Sequence, residues 1–194
     1  MKNASKLAMI AFIFASGLAI TSCSSDDDSP TPQPQTLYQK LGGTTMVSDP
    51  NNSGQMIEQG RLSYRSVIDS TVMLIVADVV MGADGNLAEY FAPVLAEVGA
   101  GNTTGLSLLS KNLTDFFSAN TGGGATNTYT GMNMVDAHNP ATNPRMGKVA
   151  DDGDHTKFIG YVGESAGLNG VTDPIIINEV VAVLESLRDP IVQE

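Results

Sequence analysis

The chain has 194 residues, with 21 acidic and 10 basic side chains and a net charge of −11. That acidity excludes a phosphate-reading surface, and with it nucleic acid as a partner, because such a surface needs lysine and arginine gathered on one face. The single cysteine excludes an intrachain disulfide and the Cys-x-x-Cys-His motif of covalent haem attachment.

In chain order, Lys2 and Lys6 precede an apolar run from Leu7 to Ile20. The run has the length of a signal-peptide core and is too short for an ordinary membrane span. Ile20-Thr21-Ser22-Cys23 resembles the lipobox of bacterial lipoproteins. The resemblance implies a signal peptide over residues 1–22, cut before Cys23, and a lipid on Cys23. Residues 23–35 contain SSDDDSPTPQPQ, which is too polar and proline-rich to build a core and reads as a solvated tether. The expected location is the cell envelope, as an outer-membrane lipoprotein, and the acidic run resembles a surface-export signal. Residues 36–194 are long enough for one domain.

Within that domain the apolar spacing is helical. Arg61 to Val80 carries Leu62, Tyr64, Val67, Ile68, Val72, Leu74, Ile75 and Val79. Asn86 to Val98 repeats near 3.6, and Pro93 predicts a kink or a restart. Thr103 to Ala119 places Leu106, Leu109, Leu113, Phe116 and Phe117 on one face, with Thr103 or Thr104 as the expected cap. Asp154 to Ala166 is a further helix. Thr172-Asp173-Pro174 starts the last one, and Pro190 is expected just beyond its end. No Asn-Gly or Asp-Gly turn separates two alternating runs, so no strand is expected. The fold class is all-α, five or six helices around one core.

Few residues carry recognisable chemistry. ADGN at 83–86 fails as a calcium loop, because Val80, Gly82 and Phe91 fall on ligand positions. DDGDH at 151–155 reads as a solvated acidic loop. The glycine run 122–124 lacks the Lys-Ser/Thr ending of a phosphate loop, and no Gly-x-Ser-x-Gly elbow exists. The chain is not expected to be an enzyme. Two histidines remain, His138 and His155. A neutral imidazole facing an apolar crevice is how a protein holds haem iron through one ligand. His155, at the start of a helix beside acidic residues, is the other candidate iron ligand, and its plain reading is an exposed side chain.

Three ordered stretches resemble the truncated haemoglobins, most closely the first group. Leu37-Tyr38-Gln39-Lys40-Leu41-Gly42-Gly43 is similar to the family's opening. Asp115-Phe116-Phe117, Gly122-Gly123 and Tyr129-Thr130-Gly131 with Met134 and His138 resemble its distal helix, glycine loop and proximal helix. Phe158 to Val192 resembles its last two helices. The resemblance implies a two-over-two helical sandwich around haem b. His138 would be the proximal iron ligand, with Met134, Leu109, Leu113, Phe116, Phe117 and Phe158 lining the pocket. The implied partner is a diatomic gas, O₂, CO or NO.

The chain also departs from the family. It is longer between Gly43 and Tyr90, where VSDPNNSGQMIEQG reads as a surface insertion. The family's oxygen-binding tyrosine falls at Ala77 or Asp78, and its distal glutamine at Leu113. Tyr64 is a substitute only in another helix register. A distal wall of Leu109, Leu113, Phe116 and Phe117 lacks donors, which weakens retention of oxygen. Arg145, Lys148 and Lys157 read as surface cations, with haem carboxylates as a second possibility. Two functions stay open: a haem-binding envelope globin that senses a gas or carries haem, and a haem-less binding or structural module of the same fold.

Overall fold

The computed structural model describes residues 33–193. The expected signal peptide, Cys23 and most of the tether lie outside the described residues. Residues 33–35 are exposed and without secondary structure. Helix α1, Leu37–Lys40, is opened by a capping box in which Thr36 accepts from the Gln39 N–H and Gln39 returns a bond to Thr36. It buries Leu37 and Tyr38. Gly42 follows at φ 107°, where a Cβ would lie 2.2 Å from the Gln59 side chain.

The stretch read as a surface insertion holds a hairpin, where no strand was expected. Strands β1, Met46–Ser48, and β2, Met56–Glu58, pair antiparallel with Val47 opposite Ile57. The seven residues between them hide the signal expected of a two-residue turn. Asp49 organises this loop instead, accepting from the Asn51 N–H and the Asn52 amide at 2.9 and 2.8 Å. Arg65 then ties Asp49 to the next helix at 2.6 Å.

Helix α2, Gln59–Met81, buries Tyr64, Ile68, Thr71, Val72 and Ile75, and stops at Gly82 in the left-handed region. Helix α3, Ala92–Gly99, is shorter than the periodicity suggests. Pro93 lies in its first turn, where the missing N–H costs nothing, so the helix starts there rather than kinking. Helix α4, Thr104–Ser118, is not capped by Thr103 or Thr104. Asn102 and Glu97 accept its first N–H groups from Thr104 and Gly105. A π turn, Ala119–Gly123, follows. Helix α5 is Met134–Ala137 and α6 is Asp152–Leu168. The DDGDH stretch is therefore not a loop: Asp151 caps α6 through the Asp154 N–H at 2.8 Å. Helix α7, Pro174–Glu185, is capped by Asp173 as expected. Pro190 lies beyond the end of α7, as expected, within a further short helix, α8, Arg188–Ile191.

The described chain is mostly helical, with eight α-helices rather than five or six. Helix α2 packs against both α4 and α6. The interior is two clusters rather than one. The first gathers Leu37, Tyr38, Tyr64, Ile68, Phe117, Val162 and Leu184. The second gathers Ile75, Leu87, Tyr90, Phe91, Met146, Ala150 and Tyr161. Phe158 packs against both. Tyr38, Tyr64 and Phe117 stack in sequence at 6.4 and 5.5 Å, each pair adding about 0.5–1.5 kcal/mol beyond its burial.

Candidate functional site

A partly open cavity of about 160 Å³ lies among α4, α5, α6 and the last helices. Leu109, Leu113, Phe116 and Phe117 line it from α4, Met134 and His138 from α5 and its end, and Phe158 from α6. All seven residues expected at the pocket are thus brought to one cavity. Leu184, Leu187 and Ile191 add apolar wall from the C-terminal helices.

His138 is held by an unusually complete set of bonds around a very short helix. A four-residue helix cannot satisfy its own carbonyls, because the last four have no intrahelical partner. Here each carbonyl of α5 accepts from a side chain. His138 Nδ1 bonds Met134 O at 2.8 Å, and the Gln193 amide bonds Val135 O at 2.9 Å. The Thr142 hydroxyl and the Asn143 amide bond Asp136 O and Ala137 O, each at 2.7 Å. Asn133 caps the other end, accepting from the Asp136 N–H at 2.9 Å. The segment NPATNPR therefore supplies two of the four donors.

These bonds fix the imidazole's chemistry. A carbonyl only accepts, so Nδ1 carries the proton and Nε2 keeps its lone pair in the neutral ring. Burial pushes the His138 pKa below its ordinary value, more than the Met134 carbonyl raises it, and His155 lowers it further. The ring stays neutral at neutral pH. Tyr90 stacks beside it at 6.3 Å between centroids. Metal-ligating histidines show this pattern, one nitrogen tied to a carbonyl and the other free.

His155 contradicts the expectation of exposure. It is 4% exposed and lines the same cavity. Neither ring nitrogen has a hydrogen-bond partner among the described residues. The sequence hid this because the carboxylates around it serve elsewhere. Asp151 caps the helix, Asp154 reaches back to the Asp151 N–H, and Asp152 pairs with Arg188.

The distal wall also differs from a wall without donors. Asn112 lines the cavity, and its side-chain amide makes no hydrogen bond among the described residues. It stands on the turn of α4 that carries Leu109 and Leu113, so sequence spacing alone contained the signal. Tyr129 lines the cavity too, but its hydroxyl is engaged, donating to Met132 O at 2.6 Å. Tyr64 does not substitute there. It is buried in the first cluster, its hydroxyl 2.7 Å from that of Thr121. Asp78 accepts from the Tyr161 hydroxyl and pairs with Lys157. Arg145 faces Glu97 at 3.6 Å and Lys148 faces Asp154 at 3.0 Å, so the three candidate cations all have carboxylate neighbours.

Among the described residues no group of three or more His, Cys, Asp or Glu side chains converges to hold a bare metal ion. No helix among them is long and apolar enough to cross a membrane. The chain matches no protein-family model, and no curated protein is significantly similar to it.

Proposed function

We propose that this is a haem-binding protein of truncated-globin type, with His138 as the protein's ligand to iron. The observation that carries the reading is the His138 arrangement: a neutral imidazole, anchored through Nδ1, on an apolar cavity walled by α4 and α6. Haem iron requires a single strong protein ligand, since the macrocycle supplies four nitrogens. The chemistry of the lining fits that group. The cavity's volume of about 160 Å³ is close to that of an engineered cavity that takes benzene, so a macrocycle would need more room than this cavity alone gives. When bound, haem would supply an iron centre that takes up a diatomic gas or an electron. The protein's own share is to orient one imidazole, exclude water with Leu109, Leu113, Phe116 and Phe158, and present the Asn112 amide as a donor.

The haem-bound form acts as a gas-responsive or haem-carrying protein rather than an enzyme. A lipid on Cys23 and an outer-membrane location would place this activity on the envelope, where haem must be delivered or scavenged. Titration with hemin tests the reading. Wild type is expected to develop a Soret band distinct from free hemin, shifting on reduction and again with carbon monoxide. His138→Ala is expected to shift the band and weaken hemin binding at least tenfold. A spectrum identical to free hemin in the wild type overturns the reading and leaves a haem-less module of this fold.

A further inference from the structure

His155 stands in the first turn of α6, four residues after the capping Asp151. It shares the cavity with His138 but has no structural task of its own, since both ring nitrogens are buried and unbonded. The charged groups near it, Arg188, Glu185 and Asp152, are committed to one another. Burial, and after it the Arg188 charge, disfavours the imidazolium. The N-terminal end of α6 is also a poor place for a cation. What remains is a neutral imidazole with a free lone pair on an apolar cavity, a good ligand for iron, copper or zinc.

We infer that His155 is a second iron-ligating imidazole of this cavity, competing with His138 for the metal of bound haem. This rests on the haem reading above. His138 is favoured because its ring is pre-oriented by Met134 O, whereas His155 is held only by packing. Loss of the bond to His138 would then leave the iron bound to imidazole rather than to water, and the protein would pass between two ligation states.

The test uses the purified protein as wild type, His138→Ala, His155→Leu and the double variant. Each is titrated with hemin, reduced, and examined for the iron–histidine stretching band by resonance Raman. His138→Ala is expected to retain such a band, altered in frequency. The double variant is expected to lose it and to bind hemin at least tenfold more weakly than His138→Ala. The inference is overturned if His138→Ala and the double variant match in spectrum and affinity while the wild type takes up hemin. If the wild type takes up none, the haem reading itself has failed and this inference goes with it. His155→Leu guards against a folding artefact. Its hemin-free melting temperature is expected at or above that of wild type, because the leucine removes two unbonded nitrogens. A clearly lower value would give His155 a structural role and overturn the inference.

Discussion

At the scale of single residues, the two histidines give the protein an acid sensitivity of defined sign. Both have pKa values lowered in the folded state, first by burial. The unfolded chain therefore takes up protons more readily than the folded one as pH falls below about 6.5. The stability they contribute is complete above that value and declines as pH drops toward the lowered folded values. Chemical denaturation of the hemin-free protein at pH 7.5 and pH 5.5 is expected to show lower stability at pH 5.5, with a smaller difference in His155→Leu. Asn112 makes a second residue-scale prediction. If its amide stabilises bound oxygen, Asn112→Leu in the haem-loaded protein speeds oxygen dissociation several-fold and leaves carbon monoxide dissociation nearly unchanged, as measured by stopped flow. The sequence marked His138 through its rarity and its apolar company. It marked His155 only as a second candidate ligand and placed it in solvent, because its neighbours Asp151, Asp152 and Asp154 suggest water until their separate partners are known.

At the scale of elements, long periodic segments were legible and short ones were not. Helices α2, α4, α6 and α7 follow from apolar spacing and from end signals such as Asp173-Pro174. The hairpin was missed because three-residue strands give almost no alternation, and its loop is built on Asp49 rather than a glycine turn. Helix α5 was legible only by resemblance. Four residues cannot sustain a helix by propensity, and its stability comes from side chains up to 58 positions away, including Gln193. Removing one of these donors should therefore loosen His138 without unfolding the domain. Asn143→Ala leaves the Ala137 carbonyl without its amide partner and is expected to cost about 1 kcal/mol. The readout is hemin affinity, expected to fall several-fold while the melting temperature of the hemin-free protein drops by only a few degrees.

At the scale of the whole molecule, the two apolar clusters meet at Phe158, which also lines the cavity. A half-buried ring shared by both clusters predicts that Phe158→Ala costs about 2 kcal/mol, below the range for truncating a fully buried aromatic. Urea denaturation measures it directly, and a cost below about 1 kcal/mol would mean that the clusters do not depend on each other through this ring. The sequence indicated the helical class, whereas the division of the interior into two clusters depends on contacts between distant helices that no local pattern encodes.

The turn at Gly122 carries a practical consequence. Its φ is 113°, and a Cβ there would lie 2.2 Å from the Thr36 hydroxyl oxygen. Gly123 is similarly roofed by the ring of Tyr38. Thr36 and Tyr38 thus form a lid over the bend between α4 and the loop that leads to α5. A recombinant fragment begun at residue 39 would strip that lid, so the hemin titration proposed above belongs on a chain that keeps Thr36 and Tyr38.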